Sequence, residues 1–462
     1  MRRIDQLLEG FRHSGCASCL EDSSAAYTYA DLLEEFERWR SRFDQLRVEP
    51  GTVIALRGDY SLPSVAAFLA LLSMRAVVAP VPRGQVADRC LSDARATALL
   101  DLSLDGQSEW RRLTDSTPHP LLERLRNSGD GGVVLFTSGS TGGPKAALHG
   151  SEGFLRKFDR PGRRFRTLAF LLFDHVAGLD TLFYTLVSGG TVILTRRRDP
   201  ESILKIIQSH RVEVLPTSPS FLRLLCLARL DGDYDLSSLK IITYGSEAMD
   251  PSTLARLNTI FPTVQINQKY GTTETGSPKS VSRSSDSLWM KFREGDVEAK
   301  VIDGVLWIRS QSTILGYLNA PSPVDQDGWY CTSDLVEVDG EWFRFCGRLT
   351  DTIHVGGEKV APTEVEHSIL ELDFVREAVV IGRPNALLGQ VVTARVTLAV
   401  PDMEPKEAAR RIWQHCRRRL APYKAPVKID ISLAGFTDER QKVRRNQHGP
   451  DGAALPDDPK IS

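Results

Sequence analysis

Apolar residues recur at helical spacing in parts of this chain and form short continuous runs in others. Over residues 28–46 they return every three to four positions along one side, which predicts an amphipathic helix. Residues 65–82 are almost wholly apolar, but Arg75 and two prolines interrupt them, so the run falls short of the ~20 residues that cross a bilayer. We interpret this run as a buried helix followed by a strand, and we expect no membrane insertion.

Strand-like and helical segments alternate further along the chain. Runs rich in β-branched and apolar residues occupy residues 51–58, 185–195, 212–220 and 239–247, and residues 202–211 carry a helical pattern. Alternation of this kind is typical of an α/β fold with a largely parallel sheet.

The pattern changes after residue 280 to short strands joined by tight turns. Asp303-Gly304 and Asp339-Gly340 each separate two alternating stretches, as the turns of β-hairpins do. This pattern of short strands and tight turns predicts a small β-rich layer that completes a large N-terminal domain.

The sequence pattern changes again beyond Arg348. Helical patterns over residues 363–372 and 404–420 are separated by strand-like runs, which predicts a compact α+β domain. We therefore divide the chain into a large N-terminal domain, residues 1–348, and a smaller C-terminal domain, residues 349–462.

Composition adds few constraints. The chain has 462 residues, is 41% hydrophobic and carries a formal net charge of −1, so no overall field attracts it to nucleic acid. Of its seven cysteines only Cys16 and Cys19 form a CxxC pair, which we interpret as incidental rather than as a zinc site. The first residues lack the continuous apolar region of a secretory leader, and we expect a cytoplasmic protein.

The stretch VLFTSGSTGGPKAALH, residues 134–149, is the first candidate for chemistry. An apolar strand enters small hydroxylated residues and glycines, whose backbone amides and hydroxyls can cradle a phosphate, and Lys145 adds a positive charge. The spacing differs from that of P-loop NTPases, because Ala146 follows the lysine at the position where those proteins have a magnesium-binding hydroxyl. On composition alone, an ordinary linker is an equal alternative.

Other polar residues stand where strands end. Thr273 and Glu274 follow the apolar run 264–266, and ligands of α/β sheets gather at the carboxyl ends of strands. A threonine there can hydrogen-bond a phosphate oxygen, and a carboxylate can hold Mg²⁺ together with substrate phosphates. The alternative is an ordinary capped turn.

Three further residues complete the candidate set. Asp334 offers a carboxylate suited to the two hydroxyls of a ribose, and Arg348 lies where the β-rich layer ends. Lys442 lies in the basic run ERQKVRRNQ, which taken alone is more often a solvated face.

Taken together, these stretches resemble the adenylate-forming superfamily, which includes acyl- and aryl-CoA ligases, luciferase-like enzymes and adenylation domains of nonribosomal peptide synthesis. The matching motifs, in chain order, are FTSGSTGGPK, YGTTETG, WYCTSDL and GRLTDTIHVGGEKVAPTEVE, followed by the lysine of ERQKVRRNQ. The resemblance implies that a carboxylate attacks ATP to give an acyl-adenylate, which a thiol then converts to a thioester. ATP and Mg²⁺ are the implied cofactors, and coenzyme A or the phosphopantetheine of a carrier protein is the implied thiol.

The resemblance also implies residue roles. The ATP- and AMP-binding residues would be Thr137, Ser138, Gly139, Ser140, Thr141, Gly142, Lys145, Gly245, Ser246, Glu247, Tyr270, Gly271, Thr272, Thr273, Asp334, Arg348 and Lys442. Among them the glycine-rich loop would clamp the β- and γ-phosphates, residues 245–247 and Tyr270 would contact adenine, and Glu274 would bind the metal. Lys442, Thr273 and His175 would be catalytic, with Lys442 bridging the carboxylate and the α-phosphate.

In this family the C-terminal domain is mobile and rotates between the two half-reactions. Thr350 occupies the hinge position, where the family usually has Asp or Lys, and Gly356, Gly357 and Lys359 would line the thiol channel. Ser333 replaces the glycine of the family's TGD motif, and we expect it to be tolerated if its φ is negative.

The acyl pocket is implied to include Asp174, His175, Gly178 and Tyr244. His175 and Gly178 resemble the HxxG of CoA ligases, which favours an aryl or fatty acid without an α-ammonium group. We expect an acid-thiol ligase that uses coenzyme A. The alternatives are an enzyme that loads a carrier protein and a degenerate nucleotide-binding regulatory protein.

Overall fold

The protein is described by a computed structural model covering residues 1–83, 87–103, 107–113, 118–137, 143–293, 295, 297–400, 403–432 and 435–436. In this part of the chain the helices are α1 (Arg3–Ser14), α2 (Tyr29–Gln45), α3 (Leu62–Ser73), α4 (Ala87–Asp93), α5 (Pro120–Asn127), α6 (Ser151–Leu155), α7 (Val176–Val187), α8 (Pro200–His210), α9 (Pro219–Ala228), α10 (Pro251–Ile260), α11 (Pro362–Leu370) and α12 (Pro405–Arg419).

The strands of the large domain are β1 (Ser18–Glu21), β2 (Ala26–Thr28), β3 (Val53–Arg57), β4 (Val77–Pro80), β5 (Ala98–Leu102), β6 (Ser108–Arg112), β7 (Gly132–Thr137), β8 (Lys145–Gly150), β9 (Arg166–Leu168), β10 (Thr191–Ile193), β11 (Val214–Thr217), β12 (Ile241–Tyr244), β13 (Gln265–Gln268), β14 (Ser280–Ser282), β15 (Trp289–Phe292), β16 (Val297–Ile302), β17 (Val305–Ser310), β18 (Gly316–Tyr317), β19 (Tyr330–Asp339) and β20 (Trp342–Arg348). Those that follow are β21 (Ile353–Val355), β22 (Glu358–Val360), β23 (Val375–Asn385), β24 (Gly389–Leu398) and β25 (Lys428–Ser432).

Two seven-stranded sheets form the body of the large domain. One has the order β13-β12-β11-β9-β10-β1-β2 and the other β18-β8-β7-β4-β3-β5-β6, and their central strands are parallel. Side chains of both sheets share one buried cluster with α1, α2, α3 and α7, so these helices separate the sheets. The predicted α/β class is confirmed.

The predicted helix over residues 28–46 is confirmed as α2. Thr28 caps it, since its hydroxyl accepts from the Asp31 amide and the Asp31 carboxylate accepts from the Thr28 amide at 2.7 Å. The apolar run 65–82 is confirmed as α3, buried on all sides, followed by β4. No helix in the described residues is long and apolar enough to span a bilayer.

One predicted strand is shorter than expected. Within residues 185–195 only Thr191–Ile193 pair as β10, because the preceding residues complete α7 and Gly189 turns the chain with a φ of 70°.

The β-rich layer is a six-stranded antiparallel sheet, β14-β15-β20-β19-β17-β16. Asp303 and Gly304 form the predicted hairpin turn with φ values of 50° and 77°. The second turn lies one residue later than predicted, at Gly340 and Glu341, because Asp339 still pairs with Trp342.

The C-terminal sheet begins at Ile353 and has the order β22-β21-β24-β23, with β25 pairing to β24. The two predicted helices are present as α11 and α12, and both contribute to the domain's own buried cluster. Arg223 of α9 joins this domain to the large one, donating to the carbonyls of Val375 at 2.7 Å and Arg376 at 3.1 Å.

Candidate active site

A cleft of about 1340 Å³ opens at the carboxyl ends of β11, β12 and β13. The six-stranded sheet forms a second wall, and residues of α11 and β23 close one side from the small domain. Carboxyl ends of parallel strands are where α/β sheets bind ligands, because several loops meet there.

Most residues singled out from the sequence line this cleft. They are Thr137, Lys145, His175, Tyr244, Gly245, Ser246, Glu247, Tyr270, Gly271, Thr272, Thr273, Glu274, Asp334, Arg348 and Thr350. Ser138, Gly139, Ser140, Thr141, Gly142 and Lys442 lie outside the described residues.

The flanks of the glycine-rich loop are fixed by a strand pair. Thr137 at the end of β7 pairs with Lys145 at the start of β8, so the loop joins two antiparallel strands. The Lys145 ammonium lies 5.3 Å from the centre of the Tyr317 ring, a cation–π distance. The Tyr317 hydroxyl donates to the Glu274 carboxylate at 2.6 Å, so Tyr317 contacts both Lys145 and the predicted metal ligand.

Tyr317 is a site residue that the sequence analysis missed. It belongs to the two-residue strand β18, which is too short to carry a hydrophobic pattern. Burial, together with the charge of Glu274, raises the pKa of Tyr317, so its hydroxyl keeps its proton and remains a donor to that carboxylate.

His149 positions the loop that carries Thr273. It is buried at 1% exposure in β8, and its Nε2 lies 2.8 Å from the Thr273 carbonyl oxygen. A carbonyl only accepts, so Nε2 carries the proton. Burial lowers the pKa of His149 to about 4, although the hydrogen bond to Thr273 opposes that shift.

Acidification should therefore weaken the fold through His149. In the unfolded chain a histidine protonates near pH 6.5, whereas the imidazole of His149 in the folded protein stays neutral down to about pH 4. The unfolded chain therefore binds a proton more readily, and the free energy of unfolding falls as the pH falls between these values. The shift corresponds to about 3 kcal/mol in the free energy of unfolding. Urea unfolding at pH 7 and pH 4.5 should show a smaller loss for His149→Gln than for the unaltered chain. An equal loss in both would contradict the assignment.

Asp334 lies in a buried cluster on the opposite wall. It accepts from the Tyr270 hydroxyl at 2.7 Å and from Arg348 Nε at 3.0 Å, and the Tyr270 ring stacks on Phe345 with 4.7 Å between ring centres. Burial raises the pKa of the Asp334 carboxyl, and the Arg348 charge opposes the increase. An aromatic ring and a carboxylate thus lie side by side on this wall of the cleft.

Two backbone conformations beside these groups are unusual for serine. Ser333 has a φ of 61° and Ser246 a φ of 73°, both in the left-handed region that favours glycine. The condition under which we expected serine to be tolerated at Ser333, a negative φ, is not met: the backbone there has the conformation that a glycine would adopt, with a serine in it.

The Gly245–Glu247 stretch packs closely under the loop of Tyr270. A Cβ at Gly245 would lie 2.7 Å from the Lys269 carbonyl oxygen, so only glycine allows this approach. The Glu247 carboxylate accepts from the Ser220 hydroxyl at 2.6 Å, which orients it at the cleft edge.

The predicted acyl-pocket residues are divided between the cleft and the packing behind it. His175 occupies the N-cap position of α7 and lines the cleft with Tyr244, whereas Asp174 and Gly178 are not among the lining residues. A Cβ at Gly178 would overlap the Leu172 carbonyl and lie 2.7 Å from the Tyr60 hydroxyl. Gly178 is therefore explained by close packing behind the pocket wall.

The packing at Gly178 predicts a large loss of stability on substitution. Gly178→Ala should lower the free energy of unfolding by about 3 kcal/mol, because the added methyl group forces α7 away from Leu172. Gly10→Ala in α1, where nothing lies within 4 Å, is the matched control and should raise stability by about 0.5–1 kcal/mol. Denaturant unfolding of both variants tests this, and a Gly178→Ala protein as stable as the parent would refute it.

The predicted thiol-channel residues lie away from the cleft. Gly356, Gly357 and Lys359 belong to the hairpin of β21 and β22, and none of the three lines the cavity. The reason is topological, since this hairpin is at the opposite edge of the sheet from β23. Thr350, the predicted hinge, lies in a short turn, Leu349–Asp351, between the two sheets.

The part of the small domain at the cleft is α11 with the start of β23. Glu377 of β23 lines the cavity and accepts from the Phe436 amide at 2.6 Å. Phe436, six residues before Lys442 in the sequence, is therefore bonded to a residue of the cleft wall.

The donor set suits a metal held jointly with a substrate. Among the described residues no cluster of three or more histidine, cysteine or acidic side chains could enclose a metal ion. Glu274 is nevertheless 8% exposed, lines the cavity and is a hard oxygen ligand, and Mg²⁺ commonly takes one or two carboxylates plus phosphate oxygens. The residues present fit such an ion.

The fold and the cleft define a two-domain α/β protein with a polar cleft at the boundary between its domains. The chain belongs to the family of AMP-binding enzymes: that family's profile matches residues 12–318, and the profile of the AMP-binding enzyme C-terminal domain matches residues 364–434. The predicted membership of the adenylate-forming superfamily is confirmed.

The relatives are CoA ligases of several kinds. The long-chain-fatty-acid–CoA ligase of Bacillus subtilis strain 168 is 30% identical over 325 residues, 64% of this chain and 57% of that enzyme. The 4-coumarate–CoA ligase-like 9 of Arabidopsis thaliana is 26% identical over 91% of this chain and 84% of its own length. For the Bacillus enzyme and for acyl-CoA synthetase 7 of Caenorhabditis elegans, 61% covered, the chain spans less than two thirds of the relative.

Solved structures share the whole fold. An anthranilate CoA ligase, AuaEII, in complex with anthranoyl-AMP superposes with a TM-score of 0.81 at 21% identity, covering 96% of this chain and 95% of that one. The amide bond synthetase McbA of Marinactinospora thermotolerans gives 0.78 at 22% identity, covering 95% and 98%.

Proposed function

We propose that this protein is an ATP-dependent carboxylic acid:thiol ligase that forms an acyl-adenylate and transfers the acyl group to coenzyme A. The observation that carries the proposal is the joint placement of Lys145, Tyr270, Thr273, Glu274 and Asp334 around one cleft at the domain boundary. Family membership and relatives named as CoA ligases support it.

Each half of the reaction balances without an oxidant. In the first, a carboxylate oxygen bonds to the α-phosphorus of ATP and the bond to the pyrophosphate oxygen breaks. In the second, the thiol sulfur bonds to the acyl carbon, the bond to the AMP oxygen breaks, and the thiol proton is released. Both steps gain from charged groups fixed in a protected cleft.

The residues have distinct proposed tasks. Thr273 binds the α-phosphate, Asp334 the ribose hydroxyls and Tyr270 the adenine ring, while Lys145 and the loop before it hold the outer phosphates. Glu274 would hold Mg²⁺, whose charge offsets that of the phosphates. Lys442 approaches from the C-terminal domain, residues 349–462, and Thr350 is the hinge about which that domain rotates.

Pyrophosphate exchange tests the proposal directly. The enzyme should exchange labelled pyrophosphate into ATP with at least one acid of a panel of aryl, short, medium and long-chain acids. Coenzyme A should then yield the thioester, whereas an enzyme that loads a carrier protein would transfer only to a phosphopantetheinylated partner. Absence of exchange with every acid would favour the nucleotide-binding regulatory alternative.

A further inference from the structure

Lys269 lies in the cleft, and no role follows for it from the sequence motifs. It comes directly after β13 and before Tyr270, and it lines the cavity. Its side chain is accessible from the cleft. Desolvation in the cleft lowers the pKa of Lys269, and the Asp180 charge opposes that shift.

The charges around Lys269 do not balance. The Lys157 ammonium forms a salt bridge with Asp180 and also donates to the Ser277 carbonyl, so it is held in place. Asp180 is the acidic group near Lys269, whereas Lys279 and Arg293 add positive charge. Within the described part of the chain, the Lys269 ammonium forms no hydrogen bond or salt bridge, and only the backbone amide of this residue donates, to the Tyr244 carbonyl at 2.7 Å. The ammonium groups of Lys157 and Lys269 thus lie near a single carboxylate, that of Asp180. A net positive charge remains, which a bound anion can neutralise.

The neighbouring pocket wall is also polar. The hydroxyls of Tyr244 and Thr217 are buried, line the cavity and have no hydrogen-bond partner among the described residues. A buried hydroxyl without a partner costs free energy. A purely alkyl substrate would leave these groups unsatisfied, whereas an acid with further oxygen atoms can satisfy them.

The lysine lies on the acyl side of the site. Asp180 is five residues beyond His175, so it lies about 7.5 Å further along α7 at 1.5 Å per residue. The proposed function places the reacting carboxylate next to the α-phosphate, which Thr273 binds. The positive charge shared by Lys157 and Lys269 is then available to another part of the substrate.

We propose that Lys269 is a specificity-determining residue that binds a second carboxylate of the substrate, so that the acid activated in this cleft is a dicarboxylic acid. This inference rests on the proposed ligase function. It narrows the substrate class from aryl or fatty acids in general to those that carry a further acidic group.

Matched pairs of acids test the inference by pyrophosphate exchange. Isophthalate is compared with benzoate, and glutarate with butanoate, in the unaltered enzyme and in Lys269→Met. The enzyme should favour a diacid by at least about 10-fold in kcat/KM, and Lys269→Met should lower kcat/KM for that diacid by about 10–100-fold while leaving the monoacid within about threefold. Lys269→Arg should restore the preference. Lys205→Met, an exposed lysine of α8 paired with Glu201, is the control and should change neither value.

Three results would overturn the inference. Equal activity with monoacids and diacids, unchanged in Lys269→Met, would refute it and leave the ligase function standing. An equal loss for monoacid and diacid in Lys269→Met, with an unaltered melting temperature, would show that Lys269 binds the reacting carboxylate. Absence of exchange with every acid would remove the proposed function and the inference with it.

Discussion

Lys442→Ala should abolish the adenylation half-reaction and spare the thioester-forming half. The family resemblance places this lysine across the carboxylate and the α-phosphate, where its charge stabilises only the first transition state. Loss of one such fixed donor costs about 10²–10³-fold in rate. Pyrophosphate exchange measures the first half, and thioester formation from synthetic acyl-AMP and coenzyme A measures the second.

Arg440→Ala is the matched control for Lys442→Ala. Arg440 belongs to the same basic run, so its removal changes the local charge equally without removing the lysine. Both half-reactions should be retained. If Lys442→Ala lowered the two half-reactions equally, the lysine would have no special place in adenylation.

Periodicity and turn chemistry predicted the main elements of the fold. The helices within residues 28–46 and 65–82 were predictable from the local sequence. An amphipathic stripe with a capping threonine specifies the first, and an almost wholly apolar run specifies the second, without help from distant residues. Where neighbouring elements merge, as between α7 and β10, composition alone did not show which apolar residues belong to which element.

The candidate site was predictable only where residues lie in one continuous motif. Thr273 and Glu274 stand together in the chain, but Tyr317 and His149 join them from other strands, 43 residues from Glu274 and 124 from Thr273. Neither residue has a local pattern that marks it. No local pattern in the sequence marks Lys269, and only the fold shows that it lines the cleft.

Arg223 is a further residue of this kind, and its replacement should have the second large effect. The guanidinium is 5% exposed and donates to the carbonyls of Val375 and Arg376 and, at 3.3 Å, to the Thr253 hydroxyl. Arg223→Met would leave those carbonyls without a donor and Asp250, 3.9 Å away, without its cation. Removing one partner of a buried charged network costs about 3 kcal/mol or more.

This loss of free energy affects only the conformation in which α9 and β23 are in contact. The same contact places Glu377 at the cleft, where its carboxylate accepts from the Phe436 amide, six residues before Lys442 in the sequence. Under the proposed function, we expect this arrangement of the two domains to be the one that serves adenylation. A destabilisation of about 3 kcal/mol would depopulate this arrangement by about 100-fold. Arg223→Met should therefore lower pyrophosphate exchange by about that factor, while thioester formation from synthetic acyl-AMP stays unchanged or rises.

A second residue pair at the same interface separates this effect from general damage. Arg256 forms a salt bridge with Asp373, but the two side chains are 36% and 66% exposed, so Arg256→Met should change exchange by less than about threefold. Equal loss of both half-reactions in Arg223→Met would mean that the arginine supports the fold of α9 alone. Selective loss of the first half would instead make a residue with no place in any sequence motif a control point for the position of the small domain.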